Sequence, residues 1–267
     1  MPSSNKLEIT ELEFDTIKSN LVGYLKGQVE FQDYDFEGSG MAVLLDLLAY
    51  NTHYMSYYAN MLGNEMFLDS SSLRESVVSH SQHLNVHSTS KKAAKAKISM
   101  TFTPVGTPLS LTIEKDTKFS TSIDGVSYTF TTNTTTAIPR SVTGTYSITG
   151  LEIVEGQILN KAFVVNAVDT TQRFVIPNRN VDLSTLSVKV QKSVSDTEVF
   201  TYTDGNAVDV TTIKGTDKVY FTQEVEDELY EISFGDGTIG SALSDGNVIF
   251  VEYVVTKGAA ANFAAAF

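Results

Sequence analysis

The spacing of apolar residues changes near Ala96, and this change restricts the chain to helices first and strands afterwards. Before Ala96 the apolar residues recur at steps of three and four, as on one face of a helix. The first such face contains Phe14, Ile17, Leu21 and Leu25. After Ile98 apolar residues alternate with Ser and Thr, which is typical of a strand. We therefore predict an α+β chain, with an N-terminal helical segment followed by a β-rich antiparallel domain.

The same change predicts the domain boundaries. We expect residues 1–97 to form a helical, bundle-forming region and residues 98–267 to form a β-rich region. Whether the second region divides into two subdomains near residue 160 stays open. Within it, Asp124-Gly125 lies between two short alternating runs and predicts a hairpin, because both residues tolerate a positive φ.

Local signals predict where three helices begin. Thr10 and Glu13 form a Ser/Thr-x-x-Glu capping box, and Ser72 and Glu75 form another that opens the third helix. Between them, the glycines around Ser39 break the pattern, and a long second helix is predicted from Met41 onwards.

The second helix is apolar on two sides. One side carries Met41, Leu44, Leu45, Leu48, Met55 and Leu62, and the other carries Leu47, Tyr50, Tyr54, Tyr57 and Met61. A surface helix of a monomer needs only one apolar stripe, so both stripes are expected to be covered. The second stripe is covered either by the β-rich half or by helices of other subunits. The tyrosines suit an interface, since each combines a large apolar face with a polar tip.

The composition excludes several classes of protein. The 267 residues contain no cysteine, which removes disulfides, cysteine-zinc sites and thiol nucleophiles. A net charge of −13 disfavours a nucleic-acid binder, which needs a basic face. The first residues are polar and acidic, so no leader peptide is expected. The most apolar window contains Asp46, Asn51 and His53, and it therefore does not predict a membrane span.

Two motifs suggest ligand binding, and for each a structural interpretation is favoured. His80, His83 and His87 are spaced for one helix face, where imidazoles could bind a metal, but no nearby carboxylate completes the set. We interpret them as surface histidines at a helix end. The glycine-rich run from Phe234 to Gly240 lacks the Gly-Lys-Ser/Thr ending of a phosphate loop. We interpret it as a tight connection between strands.

An acidic cluster provides the only hint of catalysis. It consists of Glu224, Glu226, Asp227, Glu228 and Glu231. Paired carboxylates are the machinery of glycosidases, but they must line a cleft, and a solvated charged face is the favoured interpretation. We therefore predict no enzyme, no catalytic residue, no cofactor and no metal. The alternative is a carbohydrate-binding or glycan-active β-domain on a helical adaptor, and the absence of tryptophan counts against it.

Two long stretches resemble known phage proteins. Gly38-Ser39-Gly40-Met41, then LLDLLAYNTHYMSYYANMLGNEMFLDSS and SLRESVVSHSQHLN, resemble the N-terminal part of T-even-type baseplate wedge proteins. The later stretches EVEDELYEISFGDGTIGSALSDGN and VEYVVTKGAAAN are similar to the signature of the baseplate J family. The seven signature positions, implied to be structural only, are Phe234, Gly235, Asp236, Gly237, Gly240, Asp245 and Gly246. Where that family has Tyr-x-Pro after the third helix, this sequence has Val86-His87-Ser88.

The resemblance implies a structural subunit of a contractile-tail baseplate. Its helices would join a bundle with neighbouring wedge chains, and its later domains would link wedges into a ring around the hub. The residues expected to make the bundle contacts are Leu44, Leu48, Tyr50, Tyr54, Tyr57 and Tyr58. The implied partners are other wedge subunits and copies of itself, with the central hub and tail sheath region reached indirectly, and no nucleic acid or membrane.

The implied location is the tail baseplate of the virion, after assembly in the host cytoplasm. Wedge proteins of this type are much longer than 267 residues. We therefore expect the sequence to be the N-terminal part of a longer chain, and a compact natural variant is the alternative.

Overall fold

The computed structural model describes residues 13–31, 34–36, 38–84, 86, 88–169, 171–264 and 266–267. The chain divides into two compact units, Met1–His87 and Ser88–Phe267. The described residues form three α-helices in the first unit and thirteen strands in the second. The α+β prediction is therefore confirmed, whereas the boundary at residue 97 and the further division near 160 stay predictions.

The first unit is helical. Its elements are α1 (Phe14–Lys26), a 3-10 turn (Val29–Phe31), α2 (Gly40–Glu65) and α3 (Arg74–His83). Helix α1 packs against α2 and buries Ile17. Between them the rings of Tyr34 and Phe36 meet edge to face, with 5.0 Å between centroids. The predicted capping box at Thr10 lies outside the described residues, and α1 begins after Glu13, whose side chain makes no capping hydrogen bond.

The second unit consists of strands joined by short connections. The strands are β1 (Lys95–Phe102), β2 (Ser110–Ile113), β3 (Lys118–Ile123), β4 (Val126–Thr132), β5 (Thr136–Pro139), β6 (Tyr146–Glu155), β7 (Gln157–Val164), β8 (Phe174–Ile176), β9 (Val181–Gln191), β10 (Val199–Asp204), β11 (Val219–Glu224), β12 (Tyr230–Phe234) and β13 (Val248–Val255). The predicted hairpin is confirmed, because Asp124 and Gly125 join β3 to β4 with φ values of 50° and 79°.

The strands form three sheets with two main cores. A four-stranded sheet has the order β1-β6-β4-β3, a larger one has the order β7-β13-β9-β10-β11-β12-β8, and β2 pairs with β5. Each neighbouring pair is antiparallel except β10 and β11, which run parallel. The first core surrounds Phe130 and Ile153, and the second surrounds Val188 and Ile249.

The chain passes between the sheets at Gly156, between β6 and β7. This residue has a φ of +122°, and a Cβ there would lie 2.3 Å from the carbonyl oxygen of Val255. Only glycine permits both this conformation and this close approach. This close approach lies where β6 of the four-stranded sheet continues into β7, the edge strand of the larger sheet.

Candidate protein interface on the second helix

Helix α2 turns its small side chains towards its own unit. Its buried residues are Leu45, Ala49, Asn60 and Gly63. Only Leu45 among them is a large apolar side chain, and it is 2% exposed. Small residues at steps of four and three allow close packing of a neighbouring element, but they bury little apolar area. Most of the apolar surface of α2 is therefore not buried within its own unit.

The large apolar side chains of α2 are exposed instead. Leu44 is 54% exposed and Leu48 is 53% exposed, and both predicted stripes share this exposure. We call this the α2 outer surface, and its members are Leu44, Leu47, Leu48, Tyr50, Tyr54, Met55, Tyr57, Tyr58, Met61 and Leu62. All six residues predicted to make bundle contacts belong to it. The prediction was wrong for Leu45, which was placed on a stripe with Leu44 but lies on the buried side.

Four tyrosines form a continuous aromatic strip on this surface. The hydroxyl of Tyr50 donates to that of Tyr54 at 2.9 Å, and their ring centroids lie 4.7 Å apart. Tyr58 lies 6.5 Å from Tyr54 and 5.9 Å from Tyr57, measured between ring centroids. The hydrogen bond with Tyr50 raises the pKa of Tyr54 above its ordinary value. The ring contacts and the hydroxyl hydrogen bond preorganise the strip for contact.

The charged groups of α2 are engaged within the helical unit. The helix contains only two charged residues, Asp46 and Glu65. Asp46 forms an ion pair with Lys18 of α1 at 2.6 Å. Glu65 bonds to the residues that precede α3, as described next. The α2 outer surface therefore contains no charged side chain, which is unusual for a solvated helix and is expected of a contact between proteins.

Glu65 closes the corner between α2 and α3. Its carboxylate accepts the amide N–H of Ser72 at 2.9 Å and that of Leu73 at 3.3 Å. The predicted capping box of Ser72 and Glu75 is wrong, because α3 begins at Arg74 without a side-chain cap. The carboxylate of the preceding helix satisfies these donors instead. These bonds, above all that from the Ser72 amide, lower the pKa of Glu65 to about 2.

Of the three histidines, His80 belongs to the same corner. The Nε2 atom of His80 lies 2.9 Å from the backbone oxygen of Glu65, and it donates to that carbonyl in the corresponding tautomer. His83 ends α3, and His87 lies outside the described residues. Within the described part of the chain, no cluster of three or more His, Asp or Glu side chains could hold a metal ion. His80 thus acts as a structural group at the end of α2.

The glycine-rich connection after β12 is a tightly packed turn. A Cβ on Gly235 would lie 2.2 Å from the carbonyl carbon of Gly240, and one on Gly240 would lie 2.6 Å from Val219. Gly237 and Gly240 have φ values of 91° and 80°, which favour glycine. Phe234 enters the larger core, where its ring lies 5.5 Å from that of Tyr202.

The two aspartates of this connection bond to backbone. Asp236 accepts the amide N–H of Ile239 at 3.0 Å and of Thr238 at 2.8 Å, and these bonds lower its pKa. Asp245 accepts the N–H of Ala167 at 2.9 Å. These hydrogen bonds to backbone amides are sufficient to explain why aspartate occurs at both positions. Their meaning as a family signature stays a prediction, together with that of Gly246, which has a φ of 78°.

The acidic cluster does not form a carboxylate pair between its two strand residues. In the ladder of β11 and β12, Glu231 lies opposite Gln223, so the adjacent Glu224 points to the other face of the sheet. Glu231 is held by Arg173, with a 2.8 Å contact, and Asp227 by Arg179 at 2.5 Å. Two members of the cluster are thus paired with arginines.

Among the described residues, no helix combines the length and the hydrophobicity that crossing a lipid bilayer requires. Helix α2 has 26 residues, but its apolar residues are interrupted by polar ones.

Comparison with known proteins places the helical unit in a family. Residues 13–85 match the family model described as the helical domain of gp6-like baseplate wedge proteins. The chain is 32% identical over 274 residues to the baseplate wedge protein gp6 of Enterobacteria phage T4. This alignment covers 95% of the chain and 40% of that relative, so the chain spans about two fifths of the relative's length. The match includes α1, α2 and α3, and with them the α2 outer surface. The chain is therefore similar over 95% of its length to a T4-type baseplate wedge protein, and residues 13–85 match the helical domain of that family.

Proposed function

We propose that this chain is a structural, non-enzymatic subunit of the wedge in a contractile-tail baseplate. The α2 outer surface packs against helices of neighbouring wedge subunits, including copies of the chain itself, and so forms a helical bundle. The β-rich region links wedges into a ring around the hub. In this proposal the chain is assembled in the host cytoplasm and acts in the virion, without contact to nucleic acid or membrane.

The observation that carries the proposal is the exposure of the large apolar side chains of α2. Apart from Leu45, the residues that α2 buries within its own unit are small or polar, and most of its leucines, methionines and tyrosines are exposed. A helix of 26 residues is about 39 Å long, so its outer surface offers several turns for contact. Without charged side chains, this surface suits an apolar partner helix. The similarity of the chain to baseplate wedge proteins supports the same conclusion.

Substitutions that place charged side chains on the α2 outer surface test whether it packs in a helical bundle. The chain would be co-expressed with the other wedge subunits of the phage that encodes it, and the complex would be isolated through an affinity tag on one partner. The double substitution Leu48→Glu with Tyr57→Glu should abolish co-purification, since two buried, unpaired charges are costly in an apolar interface. Circular dichroism of the free variant should match that of the unaltered chain, because both side chains are exposed.

The matched control is Asn20→Glu, which adds a charge at an exposed position of α1 and should leave co-purification unchanged. A complex that survives the double substitution would contradict the bundle. The ring linkage is tested separately, by an electron-microscopy reconstruction of the assembled baseplate. The β-rich region must contact an adjacent wedge there, and a β-rich region without such a contact would overturn this part of the proposal.

A further inference from the structure

Methionine is the only sulfur-containing residue of this chain, which has six methionines and no cysteine. Tryptophan is also absent, so peroxide oxidation is directed to the methionine thioethers. Three of these are exposed in the helical unit, with Met55 at 65%, Met61 at 42% and Met66 at 64%. Met41 and Met100 are half-buried. Among the methionines that the structure describes, which exclude Met1, the accessible thioethers are thus concentrated on and beside the α2 outer surface.

The three exposed methionines cover both stripes of α2 and its end. Met55 shares one stripe with Leu48, Met61 shares the other with Tyr57, and Met66 directly follows the helix. A thioether packs well in an irregular apolar contact because it is flexible and polarisable. A sulfoxide is polar, and its burial without a hydrogen-bond donor is unfavourable. One added oxygen therefore changes a favourable contact residue into an unfavourable one.

We infer that Met55, Met61 and Met66 form an oxidation site through which a peroxide blocks assembly at the α2 outer surface. This inference rests on the proposed function. In the reaction, the sulfur lone pair attacks one oxygen of hydrogen peroxide, an S–O bond forms and the O–O bond breaks. The remaining oxygen leaves as water with both protons. The thioether is oxidised by two electrons, and the peroxide is reduced by two.

The experiment treats the free chain with hydrogen peroxide and maps the added oxygen atoms by peptide mass spectrometry. Met55, Met61 and Met66 should be modified before Met41 and Met100, while circular dichroism stays unchanged. The oxidised chain should then bind its wedge partners about tenfold more weakly for each sulfoxide buried in the contact. Substitution of all three residues by leucine should retain assembly and make it resistant to peroxide. The variant Met100→Leu should remain as sensitive as the unaltered chain.

Failure of the inference and failure of the proposed function give different results. Oxidised chain that assembles as well as untreated chain overturns the inference, as does a triple-leucine variant that loses assembly on treatment. A different result bears on the proposed function. If the three thioethers react as fast in the purified wedge complex as in the free chain, the α2 outer surface is uncovered there, and the bundle itself is refuted.

Discussion

Glu65 is the residue whose role depends most on its surroundings. It ends α2, yet its carboxylate accepts the N–H groups that precede α3, and its backbone oxygen lies within hydrogen-bond distance of His80. The charged carboxylate is favoured by these donors, which lowers its pKa from an ordinary value of 4.5 to about 2. One side chain thus fixes the corner between two helices.

The pH dependence of the helical unit follows from this shift. Because the pKa is lower in the folded state, the contribution of Glu65 to stability is present above about pH 4.5 and is lost as the pH falls towards about 2. We expect Glu65→Gln to destabilise the helical unit at neutral pH and to flatten this acid-induced loss. Helical circular dichroism during urea unfolding at several pH values measures both effects.

Glu75→Gln is the control for Glu65, because Glu75 is the partner that the capping-box pattern selects. It should change neither the stability at neutral pH nor its slope below pH 4.5. If Glu75→Gln is the more destabilising of the two substitutions, the carboxylate assignment at this corner is wrong.

At the scale of one element, different side chains of α2 contribute to folding and are available for assembly. Two leucines three positions apart have opposite environments, since Leu45 is 2% exposed and Leu48 is 53% exposed. The buried leucine contributes to the stability of the unit. The exposed leucine contributes to the free chain only through helix propensity, in which leucine and alanine are similar.

The same substitution at the two positions tests this separation. We expect Leu45→Ala to lower the free energy of unfolding of the helical unit by about 2–4 kcal/mol, through lost burial and a residual cavity. Leu48→Ala should change it by less than about 0.5 kcal/mol in the free chain. Urea unfolding followed by helical circular dichroism gives both values. Equal losses at the two positions would show that the outer surface of α2 is buried in the free chain.

The second helix also shows what a periodic pattern can and cannot predict. Its existence and its two apolar stripes follow from spacing alone, because side-chain direction in a helix is fixed by the residue count. Which stripe faces the unit does not follow, since Ala49, Asn60 and Gly63 have no strong hydrophobic signal. Such small residues allow a neighbouring helix to approach closely, and the sequence of α2 alone does not show where that neighbour lies.

At the scale of the whole molecule, buried carboxylates bind the segment that leads into β1 and the segment that follows β13. The buried carboxylate of Asp182 accepts the N–H of Ala93 at 2.8 Å. The buried carboxylate of Glu155 accepts the hydroxyl of Thr256 at 2.5 Å and the N–H of Lys257 at 3.0 Å. Two buried acids therefore hold the residues just before β1 and just after β13 against the sheets of the β-rich unit.

Loss of one of these carboxylates should loosen its segment. We expect Asp182→Ala to destabilise the β-rich unit by about 2–4 kcal/mol, because the buried N–H of Ala93 loses its acceptor. Hydrogen exchange at Ala93 should accelerate relative to the central strands. Exchange measured by mass spectrometry, together with denaturant unfolding, gives both effects.

Asp196→Ala serves as the control for Asp182. Asp196 also accepts a backbone N–H, that of Glu198 at 3.1 Å, but it does so on an exposed loop where water can replace it. Its substitution should have a much smaller effect. A comparable effect of the two substitutions would argue against a special role for the buried carboxylate.

The sequence by itself determined the class and order of the elements, the hairpin at Asp124-Gly125 and the unusual hydrophobicity of α2. These properties depend on local spacing and on turn residues, which any short stretch carries with it. Only the tertiary structure decided which side of α2 is exposed, that Glu65 rather than Glu75 bonds to the start of α3, and that Glu224 and Glu231 lie on opposite faces of a sheet. Each of these depends on how one element packs against another or on a ladder register, and residue spacing alone specifies neither.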